Sequence, residues 1–307
     1  MAFNKKLLQV SFILENGTFT GTSSNTLLIS GLRSQAQVNK AGALSGGTLN
    51  LTIFGMTLSQ MNDLSTLGMR VQLVPRNVVV VAASTDTGGW SIVFYGQIIN
   101  AYADFMAMPD VSFKVDANSY GGINTQQANP ASYNGAVDIG SSGGPLASLA
   151  SQAGLQFESN GVSVQLRNLY LYGSVGDQIK ECCEAAGVGY TIDDGTLAIW
   201  PKNGARAGGI PVVSPETGLA KAPGYWAGGI ILETYYNPAI RFQGQIKVAS
   251  ELLQSVPAVK AQAAGLPANG IWNVSELDHD LESGVPSGSW FSTVWAYNPA
   301  FGPAVVQ

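Results

Sequence analysis

The sequence predicts a mainly β protein with an α+β middle, and three observations carry that expectation. Period-two alternation dominates both ends of the chain, two amphipathic helical stretches recur in the middle, and 37 Gly with 14 Pro provide turns throughout. The boundaries read from these patterns are 1–125 for a first β domain, 126–207 for the α+β domain, and 208–307 for a second β domain.

Taken in order, Lys5-Lys6 and the apolar Leu7 to Leu14 have the outline of a signal peptide. No small-x-small cleavage site follows, and Leu8, Val10, Phe12 and Leu14 alternate with Gln9 and Ser11, so a first strand is expected. Leu49, Leu51 and Ile53 alternate with polar residues, as do Val111, Phe113 and Val115, giving two more half-buried strands. Between them Thr57 to Leu64 reads as a short helix opened by a Thr57/Gln60 capping box.

In the middle, Leu146, Leu149, Ala150 and Ala153 stand at helical spacing, with Pro145 to start and Gly154 to stop. The same spacing returns 33 residues later as Ile179, Cys182, Cys183 and Ala186, behind a Ser174/Asp177 capping box and before Gly187. Turn signals at Asn160-Gly161 and Asp194-Gly195 predict a hairpin after each helix, so the middle reads as two tandem helix-plus-hairpin units. The repeat places Cys182 and Cys183 where the first copy has Leu149 and Ala150, which makes them core residues rather than redox or metal groups. Free thiols suit assembly in a reducing cytoplasm.

Asn203 to Gly229 reads as a linker rich in Gly and Pro. Beyond it, Phe242, Gly244, Ile246 and Val248 alternate with polar residues as a strand. Phe94, Gly96 and Ile98 within Phe94-Tyr95-Gly96-Gln97-Ile98 match Phe242, Gly244 and Ile246 within Phe242-Gln243-Gly244-Gln245-Ile246. Glycine inside a strand marks a bulge or a close backbone approach, so its recurrence suggests a paired motif in two related β domains.

Composition narrows the function. Charged residues make up 11% of 307, against about 25% in an average soluble domain. Spread over the roughly 12,000 Å² expected for a compact monomer of this size, 35 charges (15 Lys+Arg and 20 Asp+Glu) stand at about one per 350 Å². Neighbouring proteins are expected to cover part of that surface. Disorder is excluded by 46% hydrophobic residues and a net charge of −5. No membrane span is expected, because the longest clean apolar run, Val78 to Ala83, is far below about 20 residues. A pI near 4.9 gives no support to nucleic-acid readout.

Motifs for chemistry are sparse, and no cofactor or metal is expected. Gly140-Ser141-Ser142-Gly143-Gly144-Pro145 fits the Gly-x-Ser-x-Gly elbow, yet the only histidine, His279, follows it, the reverse of the order in chymotrypsin-like proteases, and no parallel strand-turn-helix is expected around Ser142. Glu276-Leu277-Asp278-His279-Asp280-Leu281-Glu282 is the densest ionisable cluster. It could supply two carboxylates to a peptidoglycan hydrolase, with Glu276 and Glu282 as the pair, or hold a metal, but a solvated loop is the simpler expectation. Gly208-Gly209 lacks the Lys-Ser/Thr ending of a phosphate loop.

Three sets of residues, in order, resemble a known family. Leu51-Thr52-Ile53-Phe54-Gly55-Met56 with Phe94 to Ile98 is similar to the first β domain of bacteriophage tail and baseplate hub proteins. Ser214-Pro215-Glu216-Thr217-Gly218-Leu219, Tyr236-Asn237-Pro238 and Phe242 to Ile246 resemble the start of their second. Gly270-Ile271-Trp272-Asn273-Val274, Leu277 to His279 and Pro286-Ser287-Gly288-Ser289-Trp290 resemble the closing pattern. The resemblance implies two tube-like antiparallel β-barrel domains per chain and a homotrimer of pseudo-sixfold symmetry. Such a ring joins the tail tube protein to a spike or tail-tip protein, among surrounding baseplate proteins. It implies a structural virion protein without catalysis, assembled in the host cytoplasm, through whose bore the tape measure protein and DNA pass without specific binding. A further expectation is that bore-facing residues are neutral or acidic.

Overall fold

A computed structural model describes residues 5–41, 46–67, 69, 76–85, 88–106, 108–226, 229–250, 254–255 and 268–300. Residues 1–4 and 301–307, at the outer limits of the two β domains expected from sequence, and 227–228 within the expected linker lie outside these.

The first third supplies β1 (Lys6–Ile13), β2 (Thr26–Ser30), β3 (Ser34–Ala41), β4 (Gly47–Phe54), α1 (Leu58–Leu64), β5 (Val78–Thr85), β6 (Ser91–Asp104) and β7 (Ser112–Asn118). Alternation does the work expected of it. Leu8, Val10 and Phe12 face inward on β1, Leu49, Leu51 and Ile53 on β4, and Phe113 and Val115 on β7, all in one apolar cluster. The Thr57/Gln60 capping box forms, and Met61 and Leu64 turn α1 onto that cluster.

The middle contains α2 (Gly121–Thr125), β8 (Ala131–Asp138), α3 (Pro145–Gln152), β9 (Gln156–Ser159), β10 (Gln165–Leu171), α4 (Val175–Ala186), β11 (Val188–Asp193) and β12 (Thr196–Pro201). Both helices bury the expected faces in a second cluster that includes Cys182 and Cys183. Gly187 closes α4 in the left-handed conformation.

Only the second of the two expected hairpins forms. Asp194 and Gly195, at φ 49 and 76, make the tight turn between β11 and β12. After β9 there is no hairpin, a correction to the tandem reading. Asn160 instead takes the Ile199 carbonyl with its backbone N–H and Nδ2, and receives Ala207 N–H on Oδ1. That locks β9 in parallel against β12, while β10 leaves to pair with β8.

The last third supplies β13 (Val212–Val213), β14 (Gly224–Trp226), β15 (Gly229–Tyr235), β16 (Gln245–Val248), β17 (Gln254–Ser255), β18 (Gly270–Ser283) and β19 (Trp290–Tyr297). The stretch read as a linker therefore contributes β13 and β14, and Tyr225 is part of the third apolar cluster. Strands of two and three residues are too short to show a period, which is why the sequence concealed them.

One 14-stranded sheet runs through both β regions in the order β17-β14-β15-β19-β18-β3-β4-β7-β6-β5-β1-β2, with β16 and β13 attached at β18. Its joint is the antiparallel ladder of β3 with β18, from Ser34↔Ser283 to Ala41↔Glu276. The fold is mainly β as expected. Among the described residues the pairings form an open path, with no ladder closing either half into its own barrel, although the first half curls until Lys6 Nζ donates to the Gly288 carbonyl at 2.6 Å.

Candidate functional site

Strand β18 overturns one expectation from sequence. Glu276 to Glu282 is not a solvated loop but the centre of the sheet, paired with β3 on one side and β19 on the other. Leu277, His279 and Leu281 point into the interior, so Glu276, Asp278, Asp280 and Glu282 project from the other face. Glu276 and Glu282 are six residues apart on an extended strand, about 20 Å at ~3.3 Å per residue. Glycosidase carboxylates stand at ~5–9.5 Å, so these two cannot flank one bond.

Register extends this face across the molecule. One row runs Thr26, Ile13, Val78, Gln97, Asn118, Thr48, Asn39, Asp278, Thr293, Glu233 from β2 to β15. The next carries Asn100, Asp116, Asn50, Gln37, Asp280 and Phe291 from β6 to β19. From β7 to β15 these two rows carry amides, hydroxyls and carboxylates together with Phe291, and on the same face of β7 Lys114 pairs with Asp104 at 2.6 Å. Over β3, β4, β15, β18 and β19 it hollows into a cavity of about 480 Å³. Asn39 Nδ2 donates to Glu276 and Asp278, and Arg33 pairs with Glu282 at 3.2 Å. Burial and the neighbouring Glu276 charge push the Asp278 carboxyl above its ordinary range, although the Asn39 bond opposes them.

On the opposite side of the same joint lies a buried ion network that no sequence pattern announced. Lys40, on β3, reaches Asp193 at 2.9 Å and Asp194 at 2.6 Å in the β11–β12 turn. Arg206 joins Asp193 at 3.2 Å and Glu158 at 3.0 Å, and Arg241 closes on Glu158 at 2.7 Å. Three cations and three carboxylates therefore tie all three regions of the chain together. Burial opposes ionisation at every buried member. At Lys40 and Asp193 the opposite charges outweigh it, raising the ammonium and lowering the carboxyl. Arg206 and Arg241 likewise hold Glu158 at about 2. Asp194 is the exception. Burial and the Asp193 charge lift it to about 6 despite Lys40, and its Oδ1 is buried without a hydrogen bond.

His279 is buried beside this network, with Nδ1 2.8 Å from Ser292 Oγ and its ring edge-on to Tyr236. Burial and the Lys40 charge press its pKa down to about 3, so it is neutral at physiological pH. Ser142 sits exposed in the turn before α3, and none of the hydrogen bonds among the described residues connects it to His279. Among the described residues no cluster of three or more His, Cys, Asp or Glu is arranged to hold a metal ion. Cys182 and Cys183 are free and buried, with burial pushing the Cys182 thiol up to about 12 and raising Cys183 as well.

The paired motif divides. Phe94 and Ile98 lie in the first apolar cluster, and a Cβ on Gly96 would stand 2.4 Å from the Asn118 carbonyl oxygen, so this glycine marks a close backbone approach. Phe242 to Gly244 is a turn, not the expected strand. Gln243 takes φ 58, Phe242 packs edge-on against Trp200 of the middle region, and only Ile246 lies on β16. The five-residue match thus serves two different local structures. What the first copy buries in its own core, the second uses to fasten the middle region.

No family model matches the chain, and no curated protein matches it in sequence. Solved structures do match in fold. A tail protein from Neisseria meningitidis aligns over 95% of this chain and 96% of its own at 8% identity, with a TM-score of 0.55. The 43 kDa tail protein of prophage MuSo2 from Shewanella oneidensis aligns over 96% and 97% at 9% identity, TM-score 0.54. The Escherichia coli c3393 protein is described as a type VI secretion component with structural similarity to the T4 tail proteins gp27 and gp5. It aligns over 90% and 77% at 10% identity, TM-score 0.50. End to end, the chain has the fold of bacteriophage tail proteins.

Proposed function

We propose that this chain is a structural virion protein, the tail or baseplate hub of a bacteriophage, without catalysis of its own. Three copies form a ring of pseudo-sixfold symmetry that joins a hexameric tail tube to a trimeric spike or tail-tip protein, among the surrounding baseplate proteins. The tape measure protein and then DNA pass through its bore, and assembly takes place in the host cytoplasm. The observation that carries this reading is the β3–β18 ladder, which sets two β regions of one chain side by side in one sheet. Three such chains present six β regions to a sixfold neighbour.

The acidic, amide-rich face from β7 to β15 faces the bore in this reading. Phosphates are repelled by Asp278 and Asp280, while Lys114 and Lys221 are held by Asp104 and Glu233, so DNA slides without sticking. The sparse charge elsewhere follows from stacking against tube and spike.

The test is the mass of the particle in solution, alone and mixed with tube protein. The expected result is three times the 32.0 kDa of one chain, a larger complex with the tube, and no salt-sensitive retention of DNA. A protein that stays monomeric, alone and with tube protein, would overturn it.

A further inference from the structure

Five asparagines of this chain precede a glycine: Asn16, Asn134, Asn160, Asn203 and Asn269. In such a pair the glycine's backbone nitrogen can reach the asparagine's side-chain carbonyl carbon, because no Cβ stands in the way and the backbone bends freely. Hydrogen bonds hold four of the five. Gly135 N–H, next to Asn134, donates to Asn168 Oδ1 at 3.1 Å, and Gly204 N–H, next to Asn203, donates to the Pro201 carbonyl at 2.7 Å. Asn160 is buried, with Nδ2 on the Ile199 carbonyl and Oδ1 under Ala207 N–H, and Asn269 Oδ1 receives Ser250 N–H at 2.6 Å. Asn16-Gly17 differs. It is exposed in the loop between β1 and β2, and Gly17 stands at φ 82 with nothing within 4 Å of its Cβ position. Among the described residues no hydrogen bond involves Asn16 or Gly17. The loop is fixed only on either side of them, where Glu15 N–H donates to Asn77 Oδ1 and Phe19 N–H to the Ser24 carbonyl, both at 3.0 Å.

We propose that Asn16 is a site of spontaneous modification in the folded protein, where it cyclises onto Gly17 and hydrolyses to aspartate and isoaspartate, while the fold preserves the other four Asn-Gly pairs. The co-reactant is water, and the atoms balance. Hydroxide takes the Gly17 amide proton, and the nitrogen forms a bond to Asn16 Cγ. The Cγ–Nδ2 bond breaks and ammonia leaves, closing a five-membered succinimide. Water then adds to one of its two carbonyls. Opening gives aspartate, or isoaspartate when the main chain comes to run through the side-chain carbon. Nothing is oxidised or reduced. Reach decides which pair reacts, since the nitrogen must come to within about 3–3.5 Å of the carbon in an attacking orientation. A nitrogen or amide engaged in a hydrogen bond must first give that bond up. At Asn16 no bond has to be broken. The product places a new negative charge next to Glu15, whose carboxylate accepts Arg76 N–H at 2.7 Å, and isoaspartate lengthens the main chain between β1 and β2.

The test is ageing of the full chain at mildly alkaline pH, folded and in denaturant, followed by peptide mapping with mass spectrometry that separates aspartate from isoaspartate. The folded protein is expected to convert Asn16 at least about tenfold faster than any of the other four, and denaturant to bring all five to similar rates. Asn168→Gly removes the acceptor that holds Gly135 N–H, and glycine accepts the left-handed conformation at φ 52. In that variant Asn134 should speed up at least about tenfold while Asn16 is unchanged, with far-UV circular dichroism as the check of folding. If the variant loses its dichroism, the wild-type comparison decides alone. A folded wild type in which Asn16 converts no faster than the other four overturns the proposal. An Asn134 that stays protected in folded Asn168→Gly overturns hydrogen bonding as the reason for the selection.

Discussion

Replacing Asp194 with Asn should stabilise the protein at pH 7, although it deletes one side of a 2.6 Å ion pair. Asp194 is held at about 6 against an ordinary 3.8, because burial and Asp193 cost its charge more than Lys40 returns. The difference of about 2 units corresponds to ~3 kcal/mol at ~1.36 kcal/mol per unit. The side chain keeps 29% of its surface exposed, so solvent screening reduces this to roughly 1–2 kcal/mol. The sign follows from linkage. A carboxyl whose folded pKa is raised binds its proton more tightly in the native state, so its contribution is most favourable below about 4 and is lost as pH rises through 6. Asn removes that loss and accepts the left-handed conformation at φ 49, and Asn-Gly is a preferred pair for this turn. Urea denaturation read by tryptophan fluorescence at pH 7 and pH 4.5 measures it. The variant should lead the wild type by roughly 1–2 kcal/mol at pH 7 and by about a third of that at pH 4.5. Lys40→Met is the control. It leaves Asp193 and Asp194 facing each other in the interior and should cost about 3–5 kcal/mol. If Asp194→Asn is destabilised at pH 7 to the same degree as Lys40→Met, the account of the network is wrong.

Three more outcomes are expected. Gly96→Ala drives a methyl against the Asn118 carbonyl and should cost about 1–3 kcal/mol in thermal or urea unfolding, whereas Gly244→Ala, with 3.0 Å to the Arg241 carbonyl, should cost less; equal costs would refute the division of the motif. His279 should show no imidazole titration by NMR between pH 5 and 8. Since its folded pKa lies below its unfolded one, its stabilisation is complete above about 6.5 and declines as pH falls toward 3. Cys182 and Cys183 should resist a thiol reagent in the native protein and both react in denaturant; labelling of either at native-state rates would contradict their burial.

How much the sequence disclosed follows the range of each interaction. Caps, turns and faces are local, so α1 with Thr57 and Gln60, α4 between Ser174 and Gly187, and the Asp194-Gly195 turn are all legible. The strand character of Glu276 to Glu282 was also written in the chain, as Leu277, His279, Leu281 and Ser283 alternating with carboxylates. A histidine among the buried positions and four acids opposite obscured the period. The ion network was not legible at all, because Lys40 and Asp194 are 154 residues apart and carry no mutual spacing. Nor was β9, whose parallel partner β12 is reached only after β10 and α4 have been placed. The candidate face depends on register across strands, which alternation within each strand does not fix.

The β3–β18 ladder also sets a timetable for synthesis. Ser34 leaves the ribosome some 240 residues before Glu276, which at ~5–20 residues per second is about 12–50 s of waiting. Throughout that interval one edge of β3 has no partner, while neighbouring ribosomes on the same message carry identical nascent chains with the same open strand. Its Gln35, Gln37, Asn39 and Lys40, polar or charged, are suited to keeping that edge soluble until the rest of the polypeptide arrives.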